Sequence, residues 1–178
     1  MSRERCTMTH WPDGKYRDRL IRAGGAIVNG DWRSNIVVDR CRQLLAAFVK
    51  RDGAALGIQS LMVGRGDPAW DAAMPAPAPG IQQLVDAAPT TIPIAGAAMS
   101  YLDPAGNTTP GPSSRLQITV TLAPGTPPLG GGETSYPLRE FALFGGFGGT
   151  PYMLDYVRHP VIHKAAGDTL VRTIRLIF

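Results

Sequence analysis

Asp168-Thr-Leu-Val-Arg-Thr-Ile-Arg-Leu-Ile-Phe178 alternates apolar and polar residues until Ile177 and Phe178, which close the segment. This reads as a terminus tied into a sheet, since chain ends otherwise fray. Upstream, Tyr136-Pro-Leu-Arg-Glu-Phe-Ala-Leu-Phe-Gly145 supplies a second β-segment over 138–144, and Met153 to Val157 a third. Arg115-Leu-Gln-Ile-Thr-Val-Thr-Leu122 alternates with period two: Leu116, Ile118, Val120 and Leu122 share one face, and Gln117, Thr119 and Thr121 the other. Several such strands joined by turn-rich connections predict an antiparallel β-sandwich.

Composition agrees. Charged residues are 18% of the 178, while Gly (21) and Pro (16) are abundant, which favours strands and long loops over a helical bundle. The length fits one domain, expected over 19–178 behind a polar leader at 1–18. The net charge of +4 comes almost entirely from Arg, with Lys only at 15, 50 and 164. The basic residues of the leader are interrupted by acids, so no nucleic-acid partner is expected. Met1-Ser-Arg-Glu-Arg5 is not followed by a signal-peptide core, and no run of 18 apolar residues spans a membrane. Cys6 and Cys41 lie in dissimilar surroundings and imply no disulfide framework. Assembly in a reducing cytosol is the expectation.

Trp11-Pro-Asp-Gly14 closes the leader as a turn. Arg19–Arg22 and Ala26–Val28 read as short strands around Gly24-Gly25, with Ile36–Val38 extending the pairing. Asp39 is the expected N-cap of a helix to Lys50, its stripe Cys41, Leu44, Leu45, Phe48 and Val49, stopped by Gly53. Ile58–Val63 resumes β-structure and ends in the tight loop Gly64–Asp71. Met74-Pro-Ala-Pro-Ala-Pro-Gly80 predicts polyproline-type chain. Extended arms are thus expected near 72–80 and 123–132, a short helix over Ile81–Asp86, and a strand over Ile94–Leu102.

No constellation reads as catalytic. His159 and His163 would share a helical face, but Pro160-Val-Ile162 makes the segment extended, so they stand roughly 13 Å apart, too far for one ion. Serines carry no nucleophile elbow, and Cys41 faces a helix core. Gly145-Gly-Phe-Gly-Gly149 lacks the Lys-Ser/Thr of a phosphate loop; it reads as a hairpin tip displaying Phe147. No metal or cofactor is expected. Two other classes stay open: a carbohydrate-binding sandwich stacking sugars on Trp11, Trp32, Trp70, Tyr101, Tyr136, Tyr152 and Tyr156, and a metal-dependent enzyme on Asp155, His159 and His163. Charges that punctuate strands sit on solvated faces, unless chains stack side by side. In that case Arg139, Glu140, Phe147, Tyr152, Arg172 and Arg175 are the candidate subunit contacts.

The order Leu-Arg-Glu-Phe-Ala-Leu-Phe-Gly145, a glycine-rich tip, Tyr152-Met-Leu-Asp-Tyr-Val157 and Gly167-Asp-Thr-Leu-Val-Arg-Thr-Ile-Arg-Leu-Ile-Phe178 resembles the N-terminal, baseplate-attachment domain of phage tail-collar and tail-fibre proteins. In that family a Glu-hydrophobic-Gly-Leu-Phe strand precedes a Gly-Asn/Asp-x-Leu-x-Arg strand. Asn35-Ile-Val-Val-Asp39 and the Ile-x-x-Leu-x-Val-Gly-x-Gly spacing of Ile58–Gly66 agree in layout, so the resemblance covers roughly 33–71 and 136–178. Fibre proteins continue into a shaft and a receptor-binding tip; neither is expected of this chain. The resemblance implies a free-standing structural component of a tail or phage-like contractile particle, at the baseplate, collar or fibre junction. It would be located in the virion and assembled in the host cytoplasm. Its partners would be other tail or baseplate proteins and further copies in a trimer or ring, with no membrane.

Overall fold

The alternating segment that ends the sequence lies inside a sheet, with a strand hydrogen-bonded on either side. The structure is a computed structural model that describes residues 12–178. Strands β1 (Asp13–Ile21), β2 (Ile27–Asn29), β3 (Arg33–Ser34) and β4 (Ile36–Val37) precede helix α1 (Asp39–Lys50). There follow β5 (Ala55–Gly64), β6 (Thr90–Pro93), β7 (Met99–Leu102), β8 (Thr108–Thr109), β9 (Arg115–Leu122), β10 (Ser135–Phe147), β11 (Thr150–Ala165) and β12 (Thr169–Ile177). One antiparallel sheet, sheet A, has the order β2-β1-β12-β9-β7-β8, with β3 also on β1; the other, sheet B, has the order β4-β11-β10-β5-β6. The fold is mostly β, a sandwich-like pair of curled antiparallel sheets with one packed helix.

Alternation decides what goes inside. Leu170, Ile174 and Leu176 of β12, Ile118, Val120 and Leu122 of β9, and Tyr16 and Leu20 of β1 are buried against Leu61 and Val63 of β5, Phe141 and Leu143 of β10, and Leu154 and Val157 of β11. Tyr16 meets Phe141 edge-on across the two sheets, centroids 5.0 Å apart. Each such side chain contributes on the order of 1.5–3 kcal/mol by leaving water.

The β10–β11 hairpin is the longest element of sheet B, and its tip is a two-residue turn. Phe147 pairs with Thr150, and Gly148 and Gly149 have φ of 58° and 80°. Two successive positive φ values match the right-handed twist of the flanking strands, and glycine adopts them without a Cβ clash. Gly145 and Gly146, expected in the loop, belong to the strand. A Cβ on Gly145 would sit 2.9 Å from the Leu56 carbonyl oxygen and 3.0 Å from Leu44 of α1. Glycine here lets the helix approach the sheet.

Several expectations shift. β1 begins at Asp13, inside the stretch read as leader, and Arg33–Val37 divides between the two sheets; residues 1–11, including Trp11 and Cys6, lie outside the described residues. The helix has the expected bounds, but Val38 is its N-cap and makes no side-chain cap bond, and Arg51 rather than Gly53 takes the left-handed closing conformation, φ 63°. Only Cys41 and Leu44 of the stripe are buried; Phe48 and Val49 are exposed. Segment 94–102 is a strand only from Met99, because the chain crosses there from sheet B to sheet A.

Residues 81–86 form no helix. Their backbone N–H groups turn to Glu140 instead, and Leu84 packs on Ala142, Phe144, Met153 and Tyr156. The proline-rich arm is extended but lies against its own chain: Arg158 donates to the Pro75 carbonyl (3.1 Å) and Asp39 N–H to that of Pro79 (3.0 Å). The segment 123–132 is likewise held, by Lys164 on the Ala123 carbonyl and Gly125 N–H on that of Ala166.

Because β12 joins β1 to β9, ending the chain at Arg172 removes Ile174 and Leu176 from the core and splits sheet A. Such a truncation is expected to abolish cooperative thermal unfolding by circular dichroism; a melt resembling that of the full chain would contradict the central placement of β12.

Candidate functional site

Arg172 lies between Leu170 and Ile174 on the inner face of β12, fully buried. Its Nε and Nη2 donate to the two carboxylate oxygens of Asp18 at 2.7 and 2.8 Å. The residues are direct cross-strand partners, so the pair forms within sheet A and points into the sandwich. The guanidinium carbon lies 3.7 Å from the Phe141 ring centroid, where the ring's negative face meets the cation. Nη2 also reaches His159 Nε2 at 3.1 Å. Since a guanidinium only donates, Nε2 accepts, and Nδ1 carries the proton it directs to the Pro160 carbonyl at 2.8 Å. Pro160 cannot donate to the ladder, and an irregularity between Leu138 and Glu140 accommodates it, turning His159 inward.

This cluster is chemically quiet, although Arg172 Nη1 is buried without a hydrogen-bond partner. Burial, reinforced by the Arg172 charge, pushes His159 down to about 3. Burial would raise Asp18, but the charge and hydrogen bonds of Arg172 outweigh it and hold the carboxyl below its ordinary value. The imidazole lone pair that a general base would use is engaged by the arginine. A cavity of about 240 Å³ beside it is lined by Tyr16, Asp18, Arg33, His159 and Pro160 among others.

Another inward-facing acid is Asp155, fully buried and also displaced by a register shift of the hairpin. It accepts from Leu143 N–H (2.8 Å) and from the Asn35 amide (2.5 Å). Burial raises it to about 6 despite these donors. Nearby Cys41 is pushed up to about 12, first by burial and then by the Asp155 charge, so its thiol is no nucleophile. The three members of the expected metal set diverge. Asp155 faces Asn35, His159 faces Arg172, and His163 is exposed beside Ser135; among the described residues no three metal-ligating side chains cluster.

Of the six candidate contacts, three are interior. Arg172 is described above. Glu140, fully buried, accepts from Val85 N–H (3.1 Å), Asp86 N–H (2.7 Å) and the Tyr156 hydroxyl (2.5 Å). Arg139 forks onto Asp71 at 2.8 and 2.7 Å. A carboxylate and a guanidinium on a strand covered by a loop bind that loop, which corrects their assignment to subunit contacts. Phe147 and Tyr152 pack on each other, centroids 5.8 Å apart, so Phe147 is not displayed at the tip. Arg175 lies on the outer face of sheet A, its Nε donating to Gln117 at 2.9 Å.

Among the described residues the aromatic side chains form no common platform: Trp70, Tyr136 and Tyr156 are buried, and Arg158 stacks on Trp70 at 4.6 Å. Missing from the sequence reading were Asp18 and Asn35. The alternation Tyr16-x-Asp18-x-Leu20 would have revealed Asp18 as an inward residue.

An apolar surface beside the helix remains uncommitted. Between α1 and the ends of β7, β9 and β12 opens a cleft of about 430 Å³, lined by Leu44, Leu45, Phe48, Met99, Leu116 and Phe178 among others. Phe48, Val49 and Tyr101 stand exposed at and beside its mouth. Among the described residues no helix is long and apolar enough to cross a membrane. No family model, curated protein or solved structure matches the chain.

Removing one member of the buried pair leaves the other charged and dry. Asp18→Leu and Arg172→Met are each expected to cost about 3–5 kcal/mol in urea unfolding, and the two together much less than their sum. Strict additivity would show that the pair is not coupled.

The two buried titrating groups have opposite signs. Asp155 is raised, so its contribution is full below 3.8 and lost as pH rises through about 6. His159 is lowered, so its contribution is full above 6.5 and lost as pH falls through about 3. Between pH 6 and 4.5 the two slopes offset, and stability is expected to be nearly flat. Asp155→Asn leaves only the His159 slope, a loss of about 1.4 kcal/mol per pH unit on acidification; equal profiles for both proteins would refute the assignment.

Proposed function

We propose that the protein is a structural component of a phage tail or phage-like contractile particle, at the baseplate, collar or fibre junction, acting through contacts with neighbouring subunits. The resemblance of the 136–178 strands and of the 33–71 segment to the tail-collar and tail-fibre attachment domain supplies the identity. The observation that carries the mode of action is the apolar surface around α1. Phe48 is 43%, Val49 87% and Tyr101 41% exposed beside the 430 Å³ cleft, and a contiguous apolar patch of this kind marks a protein-binding surface.

Interior chemistry supports the reading from the other side. Each strongly perturbed acid and base has an intramolecular partner, and none has a free lone pair facing a substrate-sized space beside a nucleophile. The sheet edges favour a side-chain surface over strand addition. β2, β4 and β8 are two or three residues long and β6 ends in Pro93, devices that discourage edge-to-edge pairing. The occupant of the cleft is therefore an apolar segment or helix face of an adjoining tail protein or a second copy.

Sedimentation at increasing concentration and electron microscopy of assembled particles test this. Wild-type protein is expected to oligomerise or to co-purify with tails, while Phe48→Asp with Tyr101→Asp stays folded and monomeric and is lost from particles. Wild-type protein that remains monomeric and never joins a tail overturns the proposal.

A further inference from the structure

The outer face of sheet A breaks the usual rule for cross-strand charges. Lys15 and Arg175 are direct partners in the β1–β12 register, and like charges placed opposite one another destabilise a sheet. Arg17, the next residue on that face of β1, brings a third cation. All three gather on one indole: Lys15 Nζ lies 5.1 Å, the Arg17 guanidinium 4.9 Å and that of Arg175 4.8 Å from the Trp32 ring centroid. With each within 5.1 Å of one point, no two are more than about 10 Å apart, comparable to the physiological screening length of about 8 Å.

Carboxylates nearby do not neutralise them. Asp13 accepts from Gly14 N–H, Asp103 from Asn107, and Asp18 points inward to Arg172. Among the described residues, none of the three cations is in an ion pair. Arg175 is held below its ordinary pKa by burial and then by the Arg17 charge. The aromatic face is a weak counter-charge for three cations.

Beside Arg17 lies a hollow of about 280 Å³, lined by Arg17, Arg19, Asn29, Gly30, Val171 and Thr173, with Asp18 also bordering it. Thr173 is the cross-strand partner of Arg17, so its hydroxyl is a further donor at the same position. Arg17 and Thr173 border this hollow, while Lys15 and Arg175 stand with Arg17 around Trp32; arginine forks of this kind match tetrahedral oxygens.

We propose that Lys15, Arg17 and Arg175, arranged around Trp32, bind a phosphate-class oxyanion carrying two or more negative charges. The site is on the face of sheet A remote from the sandwich interior and does not depend on the tail assignment. Compact polyphosphate fits better than a nucleic-acid strand, because the three cations converge on one ring instead of tracking an extended backbone.

Calorimetric titration at constant ionic strength distinguishes the sources, with inorganic pyrophosphate in one arm and a short oligothymidylate in the other. Saturable one-to-one binding of pyrophosphate is expected, with a rise in melting temperature that matched chloride does not produce. Arg17→Gln, an exposed side chain whose removal spares the core, is expected to weaken binding at least tenfold. Lys15→Glu replaces the like-charge pair with an opposite one, so the ligand-free protein is expected to melt a few degrees higher while binding falls at least tenfold. No binding beyond the chloride control, undiminished binding in Arg17→Gln, or binding of the oligonucleotide alone would each overturn the proposal.

Discussion

A guanidinium inside an apolar sandwich needs a partner, and this requirement organises the molecule. Arg172 finds Asp18 across the strand, Phe141 across the gap between sheets and His159 beside it. Register in sheet A is therefore not left to apolar pattern alone. A one-residue slip of β12 would turn Leu170, Ile174 and Leu176 outward and strand a buried Asp18. The same cluster couples the sheets, since two of its members belong to each.

Sheet B faces a second constraint. Glu140, Ala142 and Phe144 look away from sheet A, and an exposed apolar face there would be left wet. The loop between β5 and β6 covers it, Leu84 filling the apolar centre while Glu140 collects two backbone N–H groups. A buried carboxylate satisfied by backbone donors gives an irregular loop a fixed conformation without secondary structure. The prolines at 75, 77 and 79 suit this use, as they carry no N–H needing a partner.

Much of this was legible from local pattern. The alternation of 115–122 and 168–178, the apolar helix from Asp39 and the turn at Gly148-Gly149 report their own geometry because the signal lies within ten residues. What local pattern does not encode is pairing over distance. Nothing near Asp18 announces a partner 154 residues away, and nothing near Glu140 announces the N–H groups of Val85 and Asp86. Charges on strands read as solvated by default, so Arg139, Glu140 and Arg172 passed for surface residues. The sandwich is the part shared with the sequence reading; the buried polar contacts come from tertiary structure alone.

The β1–β12 pairing has a kinetic side. Asp13 aligns with Ile177, so sheet A acquires its middle strand only once β12, far along the sequence from β1, has emerged from synthesis. Until then β1 and β9 present unsatisfied edges and apolar faces to their surroundings. Closing so long a loop costs about 4–5 kcal/mol of chain entropy, and topologies dominated by distant contacts fold slowly. The nascent protein thus passes through an interval in which it is open to misassociation, and high-level production would depend on keeping that interval short or shielded.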